Sequence, residues 1–131
     1  MILLDTNIVS EGMRSAPDTN VRAWLDARRS TDLFICTPVL AELRYGVERL
    51  PAGARRTRLE ATVRSVEAAF AGRILPFDRV AAHAYGRIVA HRDRLGRATG
   101  TMDAMIAAIR WPTKWRSPPA TRRVFPISAW T

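Results

Sequence analysis

A chain of 131 residues is about the size of one ordinary domain, and its apolar fraction of 47% excludes a disordered polyelectrolyte. No apolar run approaches the roughly 18 residues that span a bilayer, Met1-Ile2-Leu3-Leu4-Asp5 lacks the build of a signal peptide, and the lone Cys36 excludes an internal disulfide or a cysteine-built metal cage; a cytoplasmic protein with no membrane partner is expected. The formal charge of +9, from 21 basic against 12 acidic side chains and almost all arginine, suits a polyanionic partner, although a GC-rich coding bias accounts for the arginine equally well.

Met1 to Leu4 is a short apolar run ending in the carboxylate of Asp5, the pattern of a strand buried on both faces of a parallel sheet. Thr6 and Asn7 supply helix-starting chemistry before Ile8, Val9 and Met13, and Asp18 caps a second helix with Val21, Trp24 and Leu25 on one side. Leu33-Phe34-Ile35-Cys36 is a second buried strand. Thr37 as cap and Pro38 as first helical residue then start a helix that runs to about Leu50. Pro51-Ala52-Gly53 breaks the chain before a helix carrying Leu59, Val63, Val66 and Phe70, with Arg55, Arg56, Arg58 and Arg64 between them. Ile74-Leu75 is a third strand, and Asp78 opens a helix with Ala81, Tyr85, Ile88, Val89 and Leu95 on its apolar side. Thr101 caps a last helix from Met102 to Ile109. Strands alternating with helices imply an α/β fold with a parallel sheet.

From Trp111 the character changes. Three of the four tryptophans and four of the eight prolines lie from there to the end, so this stretch is expected to interrupt the helix and to add no buried strand. The division expected is a folded domain over residues 1–109 and an aberrant tail over 110–131.

Ligands of open parallel α/β sheets bind beyond the C-terminal ends of the strands. Asp5 follows the first strand, Glu42 lies just over one turn into the helix after the second, and Asp103 lies in the first turn of its helix. Sheet topology, not spacing, is what gathers them. The bland reading is a solvated helical acid or half of an ion pair. Neither Glu42 nor Asp103 has a cation three or four residues away, and a strand end inside an α/β fold is a poor place for a spare charge at Asp5. Asp103 serves equally well as a favourable charge at a helix start. Clustered carboxylates repel unless a cation neutralises them, and with only His83 and His91 as imidazoles the donor set favours Mg²⁺, with Mn²⁺ as a substitute. Such ions suit phosphodiester hydrolysis.

In order and spacing, Ile2-Leu3-Leu4-Asp5-Thr6-Asn7-Ile8-Val9-Ser10-Glu11, Leu40-Ala41-Glu42-Leu43-Arg44-Tyr45-Gly46, Ile74-Leu75-Pro76-Phe77-Asp78 and Met102-Asp103-Ala104-Met105-Ile106-Ala107-Ala108 resemble the PIN-domain family, specifically VapC-type toxins of bacterial toxin–antitoxin pairs. The resemblance covers roughly residues 1–109. It implies a three-layer α/β/α fold and a Mg²⁺-dependent ribonuclease with Asp5, Glu42 and Asp103 as metal-site acids. It also implies Thr6, Asn7 and Thr101 in support, a homodimer, and inhibition by a VapB-type antitoxin. Arg55, Arg56 and Arg58 are the expected RNA contacts. Asp78 reads as a cap, Tyr45 and Phe77 as packing residues, and His83, His91 and Cys36 receive no catalytic role.

Family members follow the Asp103 helix with a strand beside the first strand and a polar turn, which Ala120-Thr121-Arg122-Arg123-Val124-Phe125 echoes only in part. A frameshift near Arg110 is the explanation put forward, because codons chosen freely for residues 110–131 permit a shifted frame with a strand and an ATRD turn. Three other readings compete. A degenerate toxin that binds antitoxin or RNA without cutting keeps all three acids. A phosphotransfer domain is disfavoured by the absence of lysine before Lys114 and of a glycine-rich phosphate loop. A purely structural basic protein leaves the three acids unexplained.

Overall fold

The computed structural model describes the backbone of residues 1–115 and side chains as far as Trp111. Three short parallel strands, β1 (Ile2–Leu3), β2 (Leu33–Cys36) and β3 (Ile74–Leu75), lie in the order β1-β2-β3. Ile2 pairs with Leu33 and Leu3 with Phe34, while Ile35 pairs with Ile74 and Cys36 with Leu75. Helices α1 (Thr6–Gly12) and α2 (Thr19–Asp26) make the first crossover, α3 (Thr37–Glu48) and α4 (Ala54–Ala69) the second, and α5 (Arg79–Arg94) and α6 (Thr101–Trp115) pack together after β3. The α/β expectation with a short parallel sheet holds, and so do the three strands as read from their apolar runs.

The core forms where the central strand meets α3. Ile35, Cys36, Val39 and Val47 are fully buried, joined by Leu4, Val9, Leu43, Val63 and Ile109. Burial of each such aliphatic side chain contributes roughly 1.5–3 kcal/mol, so β2 and α3 are the most firmly held pieces of the molecule. Among the described residues β1 is paired only on its β2 side.

Helix ends follow side-chain chemistry. Asp18 Oδ1 accepts from the Asn20 and Val21 amides, and Asp78 Oδ1 accepts from the Ala81 amide at 2.9 Å, both as expected. Thr6 starts α1, in keeping with its helix-starting chemistry, whereas Thr37 and Thr101, expected as caps, are instead first residues inside their helices. Asp5 caps α1, Cys36 occupies the cap position of α3, and the Gly100 carbonyl takes the first bond of α6 from the Ala104 amide. Gly53 stands at φ +152°, a region open essentially only to glycine, and this is what lets the chain reverse from α3 into α4.

The last helix departs from expectation. It does not stop at Ile109 or at Trp111-Pro112 but continues to Trp115. A proline within a helix removes one N–H, here the donor that would reach the Ala108 carbonyl, yet the helix is continuous through this position. Residues 116–131, and with them most of the expected tail and its partial turn at Ala120–Phe125, lie outside the described residues.

Arg73, between α4 and β3, fastens the lower end of the sheet. Its guanidinium donates to the carbonyls of Ser30, Ala69 and Leu33, the last at 2.8 Å, and lies 4.9 Å over the Phe70 ring. Charged donors to carbonyls are worth about 1.5–3 kcal/mol each at best, and partial exposure discounts three of them here. Arg73→Met, which keeps the stem and loses the donors, is expected to lower unfolding free energy by about 2 kcal/mol in urea titration. An unchanged midpoint would mean that water replaces the guanidinium at all three carbonyls.

Candidate active site

The three strands all point their C-terminal ends toward one edge, and the local sequence delivers an acid there immediately. Asp5 follows the end of β1 with only Leu4 between, and its Oδ1 accepts the Ile8 amide at 2.9 Å, which starts α1. The second carboxylate oxygen of Asp5 has no protein partner among the described residues. Thr6, the first residue of α1, donates its hydroxyl to Glu42 Oε2 across 36 positions of sequence. Glu42 is half-buried on α3, and this bond fixes it beside the Asp5 turn. The Thr6 hydroxyl is therefore spent on Glu42 rather than on capping its own helix. Asn7 is exposed in the first turn of α1.

The same edge is tied from the other side. The Phe77 amide donates to the Thr37 hydroxyl at 3.0 Å, holding the β3–α5 connection against the start of α3. Phe77 packs on the core and meets Tyr85 edge to face at 6.1 Å, so its reading as a packing residue stands. Glu11, within the first motif, is used locally: Oε1 accepts the Asp18 amide at 2.8 Å and Oε2 pairs with Arg14.

Asp103 occupies the first turn of α6, which packs against both α5 and α3. Its carboxylate folds back over Gly100, with Oδ2 3.1 Å from where a Cβ on that glycine would stand. Thr101 is exposed one residue after Gly100. The helix is set by Ala104 and Ala108, both fully buried, and small enough for α6 to lie close to its neighbours. The structure thus bonds Thr6, the residue after Asp5, to Glu42 and places Asp103 on a helix that packs against α3. Among the described residues, no three of His, Cys, Asp and Glu stand close enough to hold one ion together.

That geometry constrains the metal. Mg²⁺ keeps several waters and takes one or two carboxylates rather than a closed protein cage. The oxygen that the helix cap leaves free on Asp5 and the one that Thr6 leaves free on Glu42 are donors of the hard kind such a hydrated ion takes. A soft or imidazole-bound metal does not fit. Cys36, buried at the end of β2, has its thiol pushed up chiefly by burial, with the Glu42 charge adding to the effect. The thiolate is the reactive form, so Cys36 is expected to react with a thiol reagent only after unfolding. Modification of the folded protein at an ordinary rate would show that the edge around Glu42 opens in solution.

Of the expected RNA contacts, Arg55 and Arg58 are exposed at the start of α4, but Arg56 is committed: it donates to Glu48 and, at 3.3 Å, to the Leu50 carbonyl. Arg64 and Arg44 converge on Glu60 and hold its carboxyl below the ordinary range. Tyr45 is not the packing residue its pattern suggested. It is 67% exposed on α3, because it lies outside the face formed by Val39, Leu43 and Val47.

The PIN-domain family model matches residues 2–109, which include all three acids. The chain belongs to the PIN-domain family. This PIN domain is 43% identical over 112 residues to the VapC ribonuclease Y4jK of Sinorhizobium fredii, covering 82% of this chain and 78% of that relative. It is 41% identical over 109 residues to Toxin FitB of Neisseria gonorrhoeae, covering 82% and 78%. Among solved structures, FitAcB from Neisseria gonorrhoeae matches with a TM-score of 0.80 at 38% identity, over 87% of this chain and 83% of that one. Within this PIN domain, no helix of the described residues is long and apolar enough to cross a membrane.

Proposed function

We propose that this PIN domain is a Mg²⁺-dependent ribonuclease, the toxin half of a VapBC-type pair, which hydrolyses RNA phosphodiester bonds at the edge formed by Asp5 and Glu42 with Asp103 alongside. The observation that carries the reading is the Thr6–Glu42 bond. It holds a second carboxylate beside a strand-end aspartate in a chain whose net charge is +9. A spare pair of acids at that edge is costly to the fold unless a cation neutralises it. The bound metal supplies Lewis-acid stabilisation of phosphoryl oxygens and a lowered pKa for water. Asp5 offers the oxygen that its helix cap leaves free, and Glu42, fixed by Thr6, offers the oxygen that Thr6 leaves free. Asp103 completes the negative field from α6, while Arg55 and Arg58 attract the RNA backbone from α4.

The partners proposed are a VapB-type antitoxin, supported by the similarity to Toxin FitB and to the FitAcB structure, and a second copy of the chain, which rests on the family resemblance alone. One observation favours a second reading, a chain that binds RNA or antitoxin without cutting: the three acids do not stand within common ligating reach. Incubating the 131-residue protein with total RNA in Mg²⁺, in Mn²⁺ and in EDTA tests the proposal. Cleavage in Mg²⁺ that EDTA abolishes is the expected result. A folded, monodisperse sample that cuts nothing in either metal would transfer the reading to the non-cutting alternative.

A further inference from the structure

Gly100 stands where the third acid meets its helix, and its backbone gives no reason for a glycine. Gly53, Gly72 and Gly96 have positive φ, the conformation that favours glycine, but Gly100 does not. What sets it apart is what a side chain would meet. A Cβ built there would lie 3.1 Å from Asp103 Oδ2 and 3.8 Å from the carboxyl carbon. The same atom on Gly12 comes no closer than 3.7 Å to Leu25, and on the remaining glycines it meets nothing within 4 Å. Glycine is acceptable at a helix start, where serine, aspartate and asparagine do better, so its presence alone carries nothing. The carboxylate lying in the space it leaves is the informative part.

The backbone on both sides of Gly100 is held. Before it, the Arg92 guanidinium donates to the Thr99 hydroxyl and the Arg97 amide to the Arg92 carbonyl at 3.0 Å, which braces the loop against the end of α5. After it, the Ala104 amide donates to the Gly100 carbonyl at 2.9 Å, and Ala104 is fully buried. Asp103 is exposed and accepts no hydrogen bond among the described residues. A contact at 3.1 Å is closer than unstrained packing allows, so a Cβ at Gly100 drives the free carboxylate to retreat or change rotamer. The missing bond matters as well. Asp18 and Asp78 each spend an oxygen on helix-start amides, whereas Asp103 spends neither and keeps both for another partner.

We propose that Gly100 is a positioning residue of the acid edge: its missing Cβ is the space that the Asp103 carboxylate occupies, and this fixes where the third acid stands. The task of that acid rests on the ribonuclease reading above. Gly100 has no side chain to offer metal or substrate and acts through Asp103.

Gly100→Ala and Gly100→Ser test the role, because both add the Cβ and they differ at the cap. Serine serves a helix start better than alanine, so an effect common to both belongs to the Cβ. Tm is expected to stay within about 3 °C of wild type in both, with Gly100→Ser the higher of the two. The rise in Tm on adding Mg²⁺, measured without RNA, reports metal binding apart from catalysis. Both variants should need about three- to tenfold more Mg²⁺ for the same rise, and RNA cleavage at fixed Mg²⁺ should fall by about tenfold. Added to Asp103→Asn, Gly100→Ala should change either quantity by less than about twofold, since the acid it displaces is already gone.

A wild-type Mg²⁺ response in both glycine variants overturns the positioning role, as does a wild-type Tm that Mg²⁺ leaves unchanged. So does an effect confined to Gly100→Ala, which would assign it to the cap. An equal further loss on top of Asp103→Asn overturns it too, by assigning the effect to the loop. RNA cleavage by the wild type that both glycine variants match removes the positioning role alone. A Mg²⁺ response that weakens in both variants of a protein cutting no RNA removes the ribonuclease reading alone.

Discussion

Asp5→Asn is expected to reduce Mg²⁺-dependent RNA cleavage by at least about 10²-fold while leaving Tm within about 2 °C of wild type. The two expectations come from the two oxygens of one side chain. Oδ1 caps α1 by accepting the Ile8 amide, and asparagine is as good a cap as aspartate, so the helix start survives the substitution. The other oxygen becomes an amide nitrogen or a neutral carbonyl, either of which is a poor ligand for a hard cation. Loss of a ligand should exceed the roughly 10- to 100-fold that removal of a mere supporting partner costs. Asp5→Ala is the companion variant: it should lose the same activity and also about 1 kcal/mol of stability, because the cap goes as well. Cleavage rates on a defined RNA with unfolding curves for all three proteins give the comparison. If Asp5→Asn cuts as well as wild type, Asp5 is a helix cap and nothing more, and the metal site must be placed without it.

What the sequence made legible divides along a physical line. Elements governed by local chemistry were readable: β2 at Leu33–Cys36 from its unbroken apolar run, and the starts of α2 and α5 from Asp18 and Asp78, whose carboxylates cap the nearest free amides. Thr37 and Thr101, read as caps, were each misplaced by one residue. Threonine hydroxyls engaged elsewhere show why. Thr6 spends its hydroxyl on Glu42 and Thr37 accepts from the Phe77 amide, both tertiary bonds between residues 36 and 40 positions apart. A cap signal in sequence is a statement about the nearest backbone, and nothing in the residue tells whether a distant partner has taken the hydroxyl instead. The same limit applies to the site. Asp5, Glu42 and Asp103 could each be picked out by their position after a strand or at a helix start, but their approach to one another is a property of packing. The structure ties Glu42 to Thr6, next to Asp5 in sequence, and leaves Asp103 on a neighbouring helix, with no three acidic, histidine or cysteine side chains grouped among the described residues. Tyr45 was misread because apolar periodicity is blind at the margin of a helix face, where one residue of phase separates core from solvent.

The Thr6–Glu42 bond allows a finer test than deletion of an acid. Thr6→Val is nearly isosteric, and because Thr6 is only half-buried the lost hydroxyl should cost little stability. What changes is Glu42. Without its donor the carboxylate regains rotamer freedom, and a misplacement of about 1 Å can cost about 10²-fold in rate. Thr6→Val is therefore expected to lower kcat by about 10- to 100-fold and to raise the Mg²⁺ concentration needed for half-maximal cleavage. Glu42→Gln removes the charge itself and should cost at least as much. In the double variant the two losses should not add, since Thr6 has nothing left to position once the carboxylate is an amide. Full additivity would mean that Thr6 acts on the substrate directly and that its contact with Glu42 is incidental. A Thr6→Val protein with wild-type cleavage and wild-type Mg²⁺ dependence would show that Glu42 is held by its helix alone. The convergence of α1 and α3 would then carry the site without this bond.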